Sequence, residues 1–440
     1  MIIIEGFGRA KAKLSRLKPE VSQPGSASLR KRLKTLFGTE DPEAAVRQII
    51  AEVGERGDAA LRDLTKRIDG IELGSLEVSR KEIADAYQAV DPELVVALKL
   101  AAERVRDFYQ SQKNLIWERA LAERTGQVVR PLERVGLYVP GGTAAYPSTV
   151  LMTAIPARVA GVREVILVTP PAKSGSVPPS TLVAADIAGA SRVFSIGGAQ
   201  AIAALAYGTE SVPVVDKICG PGNIFVMLAK KLVYGAVDID GLQGPSELLV
   251  VADQAADPVY CAADILAQAE HDTMAQVVMV TTSRKIADEV IAEVERQLES
   301  LPRQGIIKES LENGLVAVVA NINEAVELAN LYAPEHLSIM VEGAEDLLEK
   351  LTGAGCVFLG GYSSVVTGDY IAGPSHVLPT GGTARFSSPL NISDFMKITD
   401  VVSIGRAELE SLAPPAIKIA RAEGLEAHAR ALEKRLEKSE

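Results

Sequence analysis

The chain has 440 residues, 47 % of them apolar, enough for two or three domains with sizeable cores. Acidic residues outnumber basic ones by 57 to 46, a net charge of -11, which argues against a nucleic-acid or anionic-membrane partner. Aromatics make up only 4 %, too few for a base-stacking platform, and no apolar stretch nears the roughly 20 residues that cross a bilayer. Cys219, Cys261 and Cys356 are widely spaced, odd in number and outside any CxxC pattern. They imply a reducing compartment and exclude both a disulfide framework and a cysteine-rich zinc site. The N-terminus is apolar first (Met1 to Ile4) and basic afterwards (Arg9, Lys11, Lys13, Arg16, Lys18), the wrong order for a secretory signal. The expected location is the cytoplasm.

In chain order, the first 130 residues read as helical. Val46, Ile49, Ile50, Val53, Leu61, Leu64 and Ile68 recur at helical spacing between Pro42 and Asp69, and Leu94 to Tyr109 repeats the pattern. Ser22 to Ser28 reads as a loop or hinge. From Arg134 short β-rich runs alternate with Ala-rich helical runs. Val135–Val139, Val165–Val168, Val193–Ile196 and Val214–Ile218 are each followed by a helix. The alternation restarts with Leu248–Val251, Val277–Val280, Leu315–Val319, His336–Val341 and Val357–Leu359. After Leu390 the chain reads as helical and charged. The fold class is α/β, with two successive Rossmann-like, doubly wound parallel sheets and helical extensions at both ends. The expected divisions are a helical region over 1–133, a first sheet domain over 134–245, a second over 246–388, and a helical tail over 389–440.

Three Gly-rich segments fall just after expected strands: Pro140-Gly141-Gly142, Gly197-Gly198-Ala199-Gln200 and Gly220-Pro221-Gly222-Asn223. Glycine there lets backbone amides approach a phosphate; a single such segment is more often a tight turn, and it is the three in consecutive units that raise the case for a ligand site. The GxGxxG dinucleotide fingerprint is absent, so a nucleotide site would be a non-standard one.

Of four histidines, three lie in settings that suit chemistry. Gln268 and His271 are three residues apart near the end of an expected helix, Val259 to Glu270, which puts both on one face. His271 can also be a helix-end residue that complements the dipole. Asp369 falls in a polar turn, where an Asx-turn is the plain alternative. His428 follows Glu423 by five residues in a charged tail, where a solvated surface role is the alternative. Glu335-His336 precedes an apolar strand. The pair suits general acid/base work or a charged strand cap.

The ordered set of these segments resembles the histidinol dehydrogenase family. The blocks are Val135–Gly142, Gly197–Ala201, Gly220–Asn223, Gly244–Glu247, Gln268–His271, Pro334–Leu337, Gly368–Tyr370, His376–Thr380 and Glu423–His428. They span roughly residues 130 to 430; the first 30 residues match poorly. The resemblance implies oxidation of L-histidinol to L-histidine with two NAD+, through an aldehyde held on the enzyme. It implies Gln268, His271, Asp369 and His428 as zinc ligands, and Glu335 and His336 as the acid/base pair. Tyr138, Gln200 and Asn223 become NAD contacts. Ser246 and Glu423 become substrate contacts, joined by the four ligands and His336. It further implies a homodimer in which the C-terminal tail reaches the partner's site. His376 lies in a matched block without an implied role beyond support.

That chemistry suits the residues. His336 can take the alcohol proton as hydride leaves, and Glu335 can activate water toward the aldehyde. The cysteines lie in or beside apolar runs, so packing is their expected role and a thiohemiacetal is not needed. Two other classes use the same residues: a zinc hydrolase with Glu335 activating water without NAD, and a catalytically silent nucleotide-binding protein. The Gly-rich loops with Tyr138, Gln200 and Asn223 weigh against the hydrolase, and the complete ligand set weighs against the silent protein.

Overall fold

The N-terminus opens with a short strand, β1 (Ile2–Glu5). After a helical region come β2 (Gln127–Pro131), β3 (Arg134–Tyr138), β4 (Glu164–Thr169), β5 (Arg192–Ser195), β6 (Lys217–Cys219) and β7 (Asp238–Ile239). A second series follows: β8 (Glu247–Ala252), β9 (Gln276–Thr281), β10 (Leu315–Val318), β11 (His336–Met340) and β12 (Cys356–Leu359), with β13 (Met396–Asp400) beyond it. The computed structural model describes residues 1–15, 27–122, 126–141 and 144–437. Arg16, Lys18, Gly142 and the Ser22–Ser26 part of the expected loop lie outside them. The chain forms two units, one of Met1–Asn114 with Pro131–Met396, the other of Leu115–Arg130 with Lys397–Glu440.

The first unit carries two parallel sheets, as the β/α alternation requires. One has the order β5-β4-β3-β6-β7, the other β1-β10-β9-β8-β11-β12. In each series the first strand is central, the second and third lie to one side, and the fourth and fifth to the other. The two sheets therefore repeat one topology, each with a switch point beside its central strand. β1 is the one addition. The N-terminal region was expected to be helical, yet Ile2–Glu5 pairs with Leu315–Val318 at the sheet edge.

Burial on both faces explains the unbroken apolar strands. Along β8, Leu248, Val250 and Ala252 enter one core with Cys261, Ile265 and Val290. Leu249 and Val251 enter the opposite core with Val326, Leu328 and Ala329. The first sheet packs against Ala-rich helices because close approach leaves no room for larger groups. A Cβ on Gly136 would sit 2.7 Å from Leu205 Cδ1.

Local signals explain the element limits. Asp41 caps the helix Pro42–Arg56 by accepting from the N–H groups of Glu43 and Ala44. The apolar run from Pro42 to Asp69 is broken at Gly57, whose φ of +54° admits glycine most readily. There the Asp58 N–H donates to Glu210 at 2.7 Å. The second unit holds the β2–β13 pair and the helices Arg406–Ala422 and Glu426–Leu436. Among the described residues, its buried apolar side chains are small: Ala413, Ala420 and Ala429. No described helix is long and apolar enough to cross a membrane.

A buried ion pair holds the loop after β6. Lys230 and Asp240 are each 1 % exposed and bonded to each other. Lys230 also donates to the Gly220 carbonyl at 3.1 Å and to Gln243 at 2.8 Å, while Asp240 accepts the Gly220 N–H at 2.7 Å. Lys230→Met leaves a buried carboxylate unpaired and should cost about 3–5 kcal/mol in chemical denaturation. Adding Asp240→Leu should recover much of that loss; no recovery would mean that the pair is not the source.

Candidate active site

Glu335, His336 and Glu247 meet at the amino edge of the second sheet. His336 opens β11 and pairs in register with Leu248, so Glu335 comes level with Glu247 at the head of β8. Ala333, buried and at φ +52°, is the only non-glycine residue with positive φ among the described residues. It turns the chain from the helix Ile322–Tyr332 into Pro334 and the strand, a local strain of the kind that collects at functional sites. Glu335 Oε2 accepts the Glu247 N–H at 2.8 Å. His336 Nδ1 lies 3.2 Å from the Glu247 carbonyl oxygen and 3.5 Å from Glu335 Oε2, and Nε2 lies 3.5 Å from Asp369 Oδ1. A proton on Nδ1 donates to that carbonyl, and Nε2 faces the Asp369 carboxylate. The ring stacks on Phe358 at 6.0 Å between centroids.

Gln268, His271 and Asp369 approach the same edge from other elements. The helix carrying Gln268 is Pro258–Ala269, so His271 lies just past its end rather than on it. Its N–H still bonds to the Gln268 carbonyl at 3.3 Å, which keeps the two about one turn apart. Gln268 is buried, and its Nε2 has no hydrogen-bond partner among the described residues. Asp369, expected in a turn, lies in the last turn of the short helix Val365–Tyr370. Gly368 lets that helix close on Phe358, where a Cβ would come within 2.6 Å of the ring. His376 secures the Asp369 backbone: Nδ1 sits 2.8 Å from the Asp369 carbonyl oxygen and Nε2 3.1 Å from Thr149 Oγ1. Thr149 belongs to the helix Pro147–Ala160 of the first sheet, so His376 spans both sheets. Among the described residues, no three His, Cys, Asp or Glu side chains are grouped to hold a metal.

The charges are coupled. Burial opposes a charged His336, but the Glu335 and Asp369 carboxylates outweigh it and push the ring up to about 10. Burial also opposes the Asp369 charge, yet His336, with His376 and His271 farther off, holds that carboxyl below the usual range. Burial, then the neighbouring Glu335, pushes Glu247 up to about 8.

The first sheet presents its candidates at the opposite, carboxyl edge. Tyr138 ends β3, and its hydroxyl accepts the Gly198 N–H at 3.2 Å. Gln200 is buried with Oε1 lacking a partner among the described residues. Asn223 caps the helix Ile224–Val233, its Oδ1 accepting from Phe225 and Val226, which leaves its Nδ2 for any ligand. Gly220 has a backbone reason to be glycine: φ is +114°, and a Cβ would lie 2.1 Å from the Tyr138 carbonyl oxygen. Ser246, half-buried, precedes β8. Glu423 and His428 are exposed in the second unit, Glu423 at the end of the helix Arg406–Ala422 and His428 in the first turn of the next.

A histidinol dehydrogenase family model matches residues 34–436. The histidinol dehydrogenase of Dehalococcoides mccartyi strain CBDB1 is 55 % identical over 99 % of this chain and 100 % of its own length. The chain belongs to the histidinol dehydrogenase family. The histidinol dehydrogenase of Halalkalibacterium halodurans is 51 % identical over 94 % of this chain and 97 % of its own. A crystal structure of histidinol dehydrogenase from Elizabethkingia anophelis superposes with a TM-score of 0.88, at 35 % identity over 99 % of this chain and 98 % of that one. Family membership makes the chain an oxidoreductase.

Within this family frame, two buried acids escaped the sequence reading. Glu247 heads an otherwise apolar strand, and Asp264 sits one turn before Gln268 on the same helix, accepting from Ser364 Oγ at 2.8 Å. An acid inside an apolar run was the available signal for both. The thiols have the opposite character from nucleophiles. Burial pushes Cys356 up to about 11, Cys261 up to about 12 and Cys219 well above its ordinary value.

Glu247 also links the site to stability. Its folded value lies above the ordinary 4.5, so its contribution is full below 4.5 and is lost as pH rises through about 8. Glu247→Gln carries no such loss. The difference in Tm, variant minus wild type, should therefore grow steadily across that window in thermal scans. A flat difference would contradict a neutral buried carboxyl.

Proposed function

We propose that this chain oxidises L-histidinol to L-histidine through L-histidinaldehyde, in the last steps of histidine biosynthesis, using zinc and NAD+. The observation that carries the reading is the Glu335–His336–Asp369 cluster, at hydrogen-bonding and ion-pairing distances, in a chain of this family. Gln268, His271 and Asp369 would hold the zinc from one chain and His428 from a partner, a nitrogen and oxygen donor set that suits the metal. The partnerless Gln268 amide supports this, since a half-turn exchanges its Nε2 and Oε1. Zinc would supply a template for the imidazole and amino nitrogens of histidinol. NAD+ would accept hydride at each oxidation, held over residues 134–245 by Tyr138, Gln200 and Asn223.

The remaining work falls to this chain. His336 Nε2 takes the alcohol proton, while Nδ1 stays tied to the Glu247 carbonyl. With Asp369 engaged by the zinc, one of the two carboxylates that favour a protonated ring would be withdrawn, which would ready Nε2 to accept. Glu335 then removes a proton from the water that attacks the aldehyde, giving a hydrate that loses the second hydride. Ser246 and Glu423 hold the substrate with the ligands. Burial of Glu335 and His336 excludes competing water. The domain roles follow: 134–245 binds NAD, 246–388 carries the chemistry, and 389–440 completes a partner's site. A reducing cytoplasm suits three unpaired thiols.

Histidinol and NAD+ should yield two NADH per histidine, followed by NADH absorbance and chromatography of histidine. A chelator should stop the reaction and zinc should restore it. Turnover of histidinol without NADH would sink the reading, as would full activity without zinc.

Tail exchange in a homodimer is supported by the small buried side chains among the second unit's described residues and by exposed Val402, Ile419 and Leu425. His428→Ala chains and Glu335→Gln/His336→Ala chains should each form nearly inactive dimers. Unfolded, mixed equally and refolded, they should recover about a quarter of all sites, because a mixed two-fold pair regains one intact site. Background activity despite verified mixed dimers would rule out the exchange.

A further inference from the structure

The Glu247 side chain has no part in the scheme above, yet its backbone bonds both members of the reacting pair and one carboxyl oxygen ties a neighbouring turn. It is 1 % exposed at the head of β8. Its N–H donates to Glu335 Oε2 at 2.8 Å, and its carbonyl oxygen faces His336 Nδ1 at 3.2 Å. Its own Oε1 accepts the Gly381 N–H at 3.1 Å. The neighbouring turn is tied in the same way, Gly244 N–H to Thr380 Oγ1 at 2.6 Å. Two bonds thus clamp the 380–381 turn onto the strand head. Gly381 stands at φ +64°, so the turn has a defined conformation for the carboxyl to seat against. Oε2 is buried and has no partner among the described residues. An unsatisfied buried oxygen costs stability and points to a role.

We propose that Glu247 is a positioning residue: its carboxyl, seated on Gly381, fixes the strand-head backbone that holds Glu335 and the Nδ1 side of His336. The inference rests on reading Glu335 and His336 as the acid/base pair. It assigns Glu247 no proton transfer and no contact with substrate. What the residue supplies is reach and an acceptor oxygen. Its neutral form suffices for that, in keeping with a carboxyl raised by burial and by Glu335.

Two conservative variants separate reach from acidity. Glu247→Gln keeps the length and an acceptor oxygen but loses the acid. Glu247→Asp keeps the acid but draws the oxygen back by roughly 1.5 Å, one carbon–carbon bond. Positioning predicts that Gln keeps kcat within about threefold of wild type, while Asp loses about tenfold to a hundredfold, the scale of a misplaced reacting group. The Asp loss should appear alike in histidinol and histidinaldehyde oxidation. KM for histidinol and bound zinc should stay near wild type, a split that general loosening would not produce. Gln no better than Asp, both variants at wild-type kcat, or a change confined to KM would each overturn the inference. If wild-type chain oxidises no histidinol, the functional reading fails instead, so the two failures are distinct.

Discussion

The parallel pairing of β8 with β11 is the constraint on which the candidate site depends. Its register, His336 opposite Leu248, brings Glu335 level with Glu247 across 88 residues of chain. A slip of one residue would turn every side chain to the other face. Apolar packing makes that slip costly, since Leu249 and Val251 belong to one core and Leu248 and Val250 to the other. The placement of two polar side chains is thus set by the burial of the apolar ones beside them.

Two sheets of one topology present their candidate residues at opposite edges. The first presents Tyr138 and the Gly220 loop at its carboxyl edge, beside the β3–β6 switch point, where open α/β sheets commonly bind ligands. The second gathers Glu335, His336 and Gln268 at its amino edge. Gln268 reaches that edge because its helix runs back antiparallel to β8 and delivers its C-terminal end there. The return of the chain after Asp369 joins the two, with His376 between the Asp369 carbonyl and Thr149. A charged pair performs the matching task in the first sheet, where Lys230 and Asp240 grip the Gly220 backbone.

The polar cluster is costly to maintain. Glu247 Oε2 and Gln268 Nε2 are buried without partners among the described residues, and Ala333 sits in a conformation glycine would adopt more easily. Such features destabilise a fold by a few kcal/mol together, which large apolar faces on both sides of β8 can offset. Glu247, Gln268 and Ala333 lie near one another at the candidate edge, while other unpartnered buried atoms, Ser195 Oγ and Gln200 Oε1 among them, belong to the first sheet.

The sequence by itself determined the β/α alternation, nearly every strand of both sheets, and the candidate polar residues. Period-two and helical periodicities, caps and glycines are local signals, and apolar runs in a parallel sheet are conspicuous. Family membership was legible for a related reason: the blocks keep their order and residue types along the chain. Ile2–Glu5 was not legible as a strand, because four residues with a partner over 300 positions away carry no local pairing signal. Helix Gln304–Glu312 and strand Met396–Asp400 were also missed, each too short for a clear period. Glu247 looked like one more residue of a matched block until the strand register set its backbone against Glu335 and His336. Which edge of the second sheet holds the site was likewise a tertiary decision. Spacing along one helix or strand sets a face, but only packing between strands far apart in the chain brings separate faces to one point.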